Sequence, residues 1–383
     1  MRPDPVPTPA PAAARAPAPT PASGPTPAGL ASKVSADSGL LWTEPGAWPV
    51  AEGVHRIPLP LPMDGLRAVN VYVLETEEGL TLVDGGWAIP ESRTLLESCL
   101  RSIGHDLRDV TRFLVTHVHR DHYTQAVTVR RDLGLARVSL GLGDKPTLDL
   151  VRAAAEGGLS EDPAAAQLRA AGAHDLARAW GMVLGDEEPD EALFSYPDDW
   201  LDGDHTVAVG SRTIDAVATP GHTQGHFVFA DRAAGLLFAG DHVLPHITPS
   251  IGFEPVPAEL PLGDYLASLT KVRGLPDARL LPAHGPVVAS AHARVDELLA
   301  HHEERLARCA AAVRGGAATA LEVARVLPWT SRDTAYADLG VFDSALAVME
   351  TQAHLRLLVA RGEATAETDA EGAVGYALVP AAG

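Results

Sequence analysis

The chain of 383 residues is long enough to form two domains, and its 46% hydrophobic and 21% charged residues are typical of a globular protein. No apolar run is long enough to span a bilayer, which argues against an integral membrane protein. A formal net charge of −20 without any Lys- or Arg-rich run argues against a nucleic-acid partner. Two widely separated cysteines provide no disulfide framework, so a cytoplasmic location is expected.

The N-terminal segment differs in composition from the rest of the chain. Pro, Ala and Thr dominate residues 1–36, and such a segment buries too little apolar surface to fold, so a disordered tail is predicted. Its prolines also interrupt the apolar core that a secretory signal would need. A globular domain is predicted from about residue 40 to residue 290.

Short β-branched runs between turn signals predict the strands of this domain. They lie at residues 53–57, 68–74, 80–84, 112–116, 136–142, 206–209, 213–218, 227–230, 236–239 and 278–281. Helices are predicted at residues 88–103, 123–133 and 263–273. Residues 146–195 are rich in Ala, Leu and Glu and predict a helical insertion, which either shapes substrate access or forms a solvated decoration.

After residue 290 the predicted strands stop and helices follow. Helices are predicted at residues 293–313, 319–327 and 342–360, and a hairpin at 363–378. This order is typical of a winged-helix module, so residues 291–383 are predicted to form a winged-helix-like C-terminal domain. Residues 301–383 contain 7 Arg and no Lys against 11 Asp and Glu, which favours a helical cover or a homodimer contact over nucleic-acid binding.

The most specific pattern in the chain lies at residues 116–122. Three histidines and one aspartate occur there within six residues: His117, His119, Asp121 and His122. Neutral imidazole and carboxylate are the ligands that zinc and similar cations prefer. Side-chain packing does not explain such a cluster, so it is interpreted as part of a metal site.

Four further candidate residues each follow a predicted strand. They are Asp84, His222, Asp241 and His284. Adjacent glycines allow tight turns and close backbone approach at these positions. Side chains at strand ends are held by a rigid sheet and still face solvent at one edge, as an open catalytic metal site requires.

These motifs together resemble the metallo-β-lactamase superfamily, whose hallmark is a His-x-His-x-Asp-His loop followed by His, Asp and His ligands. All seven positions match. The resemblance covers about residues 45–290 and implies a four-layer αββα sandwich, with the metals at one edge between two sheets. The segment after residue 290 resembles, less specifically, the winged-helix domain of the subgroup that includes the β-lactamase-like 2 proteins.

The resemblance also implies a division of the ligands between two metals. The first would be held by His117, His119 and His222, the second by Asp121, His122 and His284, and both by the bridging Asp241. Two zinc ions are expected, with iron or manganese as alternatives. Such metals can lower the pKa of a bound water to about 7. Asp121 is in addition the candidate catalytic residue, because its carboxylate could accept or relay a proton.

Two further residues are expected near the centre without binding metal. For Asp84 the resemblance suggests a hydrogen bond that orients a ligand histidine, and a simple turn aspartate before Gly85 and Gly86 is the alternative. His226 is the second histidine of a Gly-His-x-x-Gly-His pattern and is expected at the pocket rim or behind the ligands, not among them. His301 and His302 are interpreted as part of a solvated helix face.

The resemblance fixes the reaction class better than the substrate. Residues 219–226 look most like glyoxalase-II-type and related thioester hydrolases, so hydrolysis of a thioester or ester of a small acyl substrate is expected. A metal-dependent endoribonuclease is one alternative, because some winged-helix relatives cut RNA. A mononuclear-iron persulfide dioxygenase, which has a similar loop, is another. A hydrolytic β-lactamase fits less well, because such enzymes are usually exported and no export signal is visible.

Overall fold

The computed structural model describes residues 33–62, 65–157, 162–184, 190–329 and 333–380. Most of the predicted disordered tail therefore lies outside the described residues. Its last residues do not follow the prediction, because Ser35 is buried and its hydroxyl accepts a hydrogen bond of 2.9 Å from the backbone N–H of Val287. The globular part thus begins before residue 36.

Seven strands form the first sheet in chain order, from β1 to β7. Their bounds are β1 Trp48–Ala51, β2 Val54–Pro60, β3 Ala68–Thr76, β4 Gly79–Val83, β5 Val110–Leu114, β6 Arg137–Gly141 and β7 Asp199–Leu201. β1 to β4 pair antiparallel through short turns, whereas β4 to β7 pair parallel. The change follows from the connections, because parallel neighbours need a crossover, which here is helical.

Five strands form the second sheet, in the order β12-β11-β10-β9-β8. Their bounds are β8 His205–Val209, β9 Arg212–Ala218, β10 Phe227–Asp231, β11 Leu236–Gly240 and β12 Arg279–Pro282. β8 to β11 form antiparallel neighbours, and β12 pairs parallel to β11 after a helical crossover. Every predicted strand of the domain thus corresponds to a strand of one of the two sheets.

The helices are α1 Pro90–Ser102, α2 Arg120–Leu133, α3 Lys145–Ala155, α4 Pro163–Ala170, α5 His174–Leu184, α6 Pro261–Arg273, α7 Ala291–Arg314, α8 Ala320–Val326 and α9 Val341–Ala360. A proline lies in the first turn of α1, α3, α4 and α6, where its missing N–H leaves no helical hydrogen bond unmade. Ser290 caps α7, because its hydroxyl accepts a hydrogen bond of 3.1 Å from Ala293 N–H.

Three apolar cores separate four layers. Between the sheets pack residues such as Leu74, Phe229 and Phe238. The outer face of the first sheet packs against α1 and α2, and the outer face of the second sheet packs against α6 and α7. The predicted αββα sandwich is confirmed.

The insertion consists of α3, α4 and α5, at the predicted positions. It is not a solvated decoration. Leu168 of α4 and Trp180 of α5 are almost fully buried in the same core as Val348 of α9. The insertion therefore packs against the C-terminal segment.

The C-terminal segment has the predicted order of three helices and a hairpin. The hairpin joins β15 Ala364–Thr368 to β16 Val374–Leu378, and a short pair, β13 Pro328–Trp329 with β14 Thr334–Ala335, lies between α8 and α9. These helices share one apolar core with the second sheet. The winged-helix assignment and the boundary at residue 291 stay predictions.

One prediction for this segment is wrong. His301 is exposed, but His302 is fully buried, and its Nδ1 lies 3.2 Å from Nε2 of His354 on α9. The reason is the helix period, since consecutive residues of a helix lie about 100° apart and His302 falls on the side that faces α9.

Both cysteines of the chain lie within the described residues. Cys99 and Cys309 are free and buried, and burial raises the pKa of both thiols, that of Cys309 to about 12. Among the helices of the described ranges, none is both long and apolar enough to cross a membrane.

The two sheets are joined next to His284 by a buried polar network around Asn70. The Asn70 side-chain amide donates hydrogen bonds to the carbonyls of Pro282, at 3.0 Å, and Gly285, at 2.8 Å. Its carbonyl oxygen accepts one of 2.9 Å from Arg56 Nη1. This side chain of the first sheet therefore holds both ends of the turn that carries His284.

We expect the Asn70→Ala substitution to lower the free energy of unfolding by about 3 kcal/mol, because it removes three buried hydrogen bonds, two to carbonyls of the His284 turn and one from the Arg56 guanidinium. Urea denaturation of the metal-free protein measures this change. Arg101→Ala, which removes an exposed ion pair with Glu97, is the control and should change the free energy by less than about 0.5 kcal/mol. Equal effects of the two substitutions would contradict a structural role for the network.

Candidate metal centre

The predicted ligands meet at one edge of the sandwich, between the sheets. Residues 116–119 leave β5 and lead into α2, which places Asp121 and His122 in its first turn. The other three follow β9, β11 and β12 of the second sheet, so both sheets contribute: His222, Asp241 and His284. Seven residues that are scattered along the sequence thus converge in two adjacent groups.

The first group consists of three imidazoles and one carboxylate. His117 Nε2 lies 3.0 Å from His119 Nδ1, and His222 Nε2 lies 3.1 Å from the same atom. Asp241 Oδ2 lies 3.5 Å from His222 Nε2. Within this group the ligand atoms all lie within 4.8 Å of one another, which is the spacing that a single cation requires.

The second group consists of Asp121, His122 and His284. Asp121 Oδ2 lies 3.3 Å from His284 Nε2 and 3.6 Å from His122 Nε2. The other oxygen of Asp241, Oδ1, lies 3.4 Å from His284 Nε2 and 3.7 Å from His122 Nε2. Asp241 therefore directs one oxygen to each group, which is the arrangement of a bridging carboxylate.

Unpartnered atoms at the centre fit a bound cation. His122 Nε2, His284 Nε2 and Asp241 Oδ1 are buried and have no hydrogen-bond partner. Buried polar atoms are rarely left in this state, because the lost hydration is not compensated. A cation bound to them would compensate it, and nitrogen and carboxylate donors suit zinc.

The remaining ring nitrogens of three of these histidines are fixed from outside the centre. His222 Nδ1 donates to the carbonyl of Ser250 at 2.8 Å, and His284 Nδ1 donates to that of Ala68 at 2.8 Å. His122 Nδ1 lies 2.9 Å from Asp84 Oδ2. These contacts place the proton on Nδ1 and leave Nε2 free to bind metal.

Asp84 does more than close a turn. Besides contacting His122, its carboxylate accepts hydrogen bonds from the Thr116 backbone N–H at 2.8 Å and the Thr116 hydroxyl at 2.9 Å. The residue is buried and has a φ of 62°, a conformation that few residues other than Gly, Asn and Asp adopt. The structure thus places Asp84 where it orients His122 and the start of the His loop.

His226 lies next to Asp241 and belongs to neither of the two groups. Its Nε2 accepts a hydrogen bond of 3.2 Å from the backbone N–H of Asp241, and its Nδ1 lies 2.9 Å from the Thr219 hydroxyl. The ring is fully buried. Gly240 makes this approach possible, because a Cβ there would lie only 2.7 Å from His226 Nε2.

A comparison with known protein families agrees with this geometry. The model of the metallo-beta-lactamase superfamily matches residues 64–284, which is more than half of the chain and includes all seven convergent residues. The chain belongs to the metallo-beta-lactamase superfamily.

Similar proteins within the superfamily come from distant organisms. A beta-lactamase-like protein 2 homolog of Caenorhabditis elegans is 27% identical over 241 residues, which cover 63% of each chain. An atrochrysone carboxyl ACP thioesterase of Aspergillus fumigatus is 24% identical over 61% of this chain and 42% of its own. A solved beta-lactamase domain protein of Burkholderia ambifaria has 28% identity and a TM-score of 0.74, covering 90% of this chain and 97% of its own. The chain spans less than two thirds of the length of the curated relatives named here.

The three imidazoles of the first group are neutral in the protein. Burial lowers the pKa of His119 to about 3 and lowers the pKa values of His117 and His222, and neighbouring histidines act in the same direction on His117 and His119. Neutral imidazole is the form that binds metal. The first group is therefore ready to bind a cation without losing protons.

The second group is surrounded by more carboxylates than the first. Burial opposes protonation of His122, but Asp121, Asp84 and Asp241 outweigh it and raise its pKa to about 10. Burial likewise opposes ionisation of Asp121, yet His122 and His284 lower its pKa. A divalent cation would balance the negative charge of these carboxylates. Without a cation, protonated histidines balance this charge.

One buried aspartate that was not predicted from the sequence connects two loops of the site. Asp144 accepts hydrogen bonds from the backbone N–H groups of Val118, at 2.8 Å, and Gly225, at 2.7 Å. Burial raises the pKa of Asp144 to about 6, against the effect of these hydrogen bonds. Its position three residues after the end of a buried strand was the available signal, similar to the one that singled out Asp84.

We expect Asp84→Asn to weaken metal binding at the second group by about tenfold, because a neutral amide holds His122 less firmly. Asparagine tolerates the positive φ, so the backbone should be preserved. Competition with a chelator of known affinity measures the effect, and Asp106→Asn at an exposed turn serves as control. Unchanged affinity for both metals would contradict the orienting role.

Proposed function

We propose that this superfamily member is a binuclear zinc hydrolase that cleaves a thioester or ester of a small acyl substrate. The observation that carries the proposal is the division of the two Asp241 oxygens between the two groups. The first ion would be held by His117, His119 and His222, the second by Asp121, His122 and His284, and both by Asp241. Two such ions, when bound, supply an ionised water near neutral pH and polarise the attacked carbonyl.

The protein's own residues would supply proton transfer and orientation. Asp121 is the more exposed of the two carboxylates, and the neighbouring His122 and His284 lower its pKa, so it is ionised and able to accept a proton at a carboxylate oxygen. A leaving thiolate needs little protonation, which suits a centre whose first-group histidines are neutral. This favours a thioester over an amide substrate.

A cavity large enough for a small acyl substrate lies beside the His222 loop, and none of the seven convergent residues lines it. It has a volume of about 470 Å³ and is bordered by Gln224, Thr147 and Leu260. Its charged lining residues are all acidic: Glu254, Glu259 and Asp264. Burial raises the pKa of Glu254 to about 8 and also raises that of Asp264. The described residues that line the cavity include no Lys or Arg to bind the phosphates of RNA, whereas a neutral acyl chain needs no such partner.

The named thioesterase relative supports the same reaction class. Cytoplasmic location, a homodimer and the choice of zinc over iron or manganese stay predictions.

We expect the purified protein to contain about two metal ions per chain, mainly zinc, and chelation to abolish hydrolysis of a model thioester. Elemental analysis and a thiol-release assay measure the two quantities. A single iron with sulfite formed from a persulfide would instead indicate a dioxygenase. Cleavage of single-stranded RNA faster than of thioester would indicate a nuclease.

We further expect Asp121→Asn to lower kcat/KM by about 100-fold or more and to lower occupancy of the second metal, because a ligand and proton acceptor are lost together. Asp175→Asn on the exposed face of α5 is the matched control and should leave both unchanged. Normal turnover of the Asp121→Asn protein would refute the assignment of that residue.

A further inference from the structure

Residues 250–254 connect three parts of the molecule. They belong to the long connection between β11 and α6 and form no helix or strand of their own. Such a segment lacks the hydrogen bonds of a sheet or helix, so its position depends on what it contacts. Its first and last residues contact the loop that carries His222, and its middle residues contact the insertion and α9.

The two ends of the segment act on the His222 loop. The carbonyl of Ser250 accepts the hydrogen bond from His222 Nδ1 at 2.8 Å. Glu254 Oε1 accepts a hydrogen bond of 2.9 Å from the backbone N–H of Gln224, which lies two residues after His222. A shift of the segment would therefore turn the His222 ring and move its Nε2 away from the first group.

The middle of the segment is held from the opposite side. The Gly252 carbonyl accepts a buried hydrogen bond of 2.9 Å from Gln167 Nε2 on α4. Gly252 has a φ of 90°, and a Cβ there would lie 3.2 Å from the Met349 carbonyl on α9. The Phe253 ring lies 5.8 Å from the ring of Trp180 on α5.

Phe253 and Ile251 of the segment also contact the helices around it. The Phe253 ring also lies 5.7 Å from the ring of Phe342 on α9, and Ile251 is almost fully buried in the core that α4, α5 and α9 share. Three consecutive residues of the segment are thus fixed by helices that carry none of the proposed metal ligands.

We propose that the insertion and α9 position the metal ligand His222 through residues 250–254, and that Gln167 is a positioning residue of the first metal group. The proposal rests on the ligand assignment of the proposed function. A ligand must be held within about 0.5 Å of its productive position, and the hydrogen bond to its second ring nitrogen supplies much of that restraint. For His222 that acceptor is a loop carbonyl, whose position depends on Gln167.

The second metal group offers a matched comparison. Gln125 Nε2 donates a buried hydrogen bond of 2.7 Å to the carbonyl of Gly85, next to Asp84, which contacts His122. Gln125 and Gln167 are both buried glutamines that hold a glycine carbonyl near a ligand contact. Replacing each by methionine removes the donor and retains the volume, but the two changes should affect different metals.

The test uses the full chain with Asp121→Asn, in which one zinc per chain is expected at the first group. Adding Gln167→Met should raise the zinc Kd about tenfold, whereas adding Gln125→Met should change it by less than about twofold. Chelator competition measures the Kd values, and cobalt absorption spectra report the ligand geometry at the first group. These readouts do not depend on hydrolysis, so they stay informative if thioesters are not the substrate.

Met182→Ala, on an exposed position of α5, is the control within the insertion and should leave the Kd unchanged. If Gln167→Met does not fold, Phe253→Leu tests the same segment at a half-buried side chain and should raise the Kd in the same direction. An unchanged Kd and cobalt spectrum in the folded Gln167 variant, or equal losses for Gln167→Met and Gln125→Met, would overturn the proposal.

Discussion

The site depends on one carboxylate, Asp241, whose two oxygens face different histidine groups. A carboxylate can serve both only if its backbone is fixed, and two neighbours fix it. His226 accepts the hydrogen bond from the Asp241 N–H, and Gly240 leaves the space that the His226 ring occupies. The residues around the bridge therefore follow from a geometric requirement: a short buried side chain at the end of β11 must lie between ligands from both sheets.

Bringing the seven convergent side chains together buries many polar atoms. For most of them, hydrogen bonds within the protein replace the lost hydration. Asp144 and Asn70 each make two hydrogen bonds to backbone groups in or next to the ligand loops. Asp84 accepts one from the Thr116 backbone N–H and also contacts the Thr116 hydroxyl and the His122 ring. Each joins segments that are distant in sequence. A buried polar group with all its partners present rigidifies its surroundings, whereas one with a missing partner is costly. The atoms left unpartnered at the centre are those that face the proposed metals.

The strands and the seven convergent residues could be predicted because both leave a local signature, whereas the sandwich was implied by the family resemblance that these residues carry. Alternating β-branched runs mark strands, and the spacing of residues 117–122 can be recognised without knowledge of the fold. The carbonyl of Ser250 has no such signature, because any residue type offers the same acceptor. Gln167 lies in a helix with no motif, and its contact with Gly252 spans 85 positions. His302 was misassigned because its burial depends on α9, which follows it by about 40 residues.

The insertion, the second sheet and the C-terminal helices share one apolar core. This core links the C-terminal segment to the rest of the protein. A C-terminal domain with its own core could be removed without disturbing the catalytic sandwich, but Leu168, Trp180 and Val348 belong to one apolar cluster with Val228 of β10. Removing α9 would expose the helices of the insertion and the segment that contacts His222. Under the proposed ligand assignment, folding of the C-terminal helices and retention of the first metal would therefore be coupled, although α9 is distant from His222 in sequence.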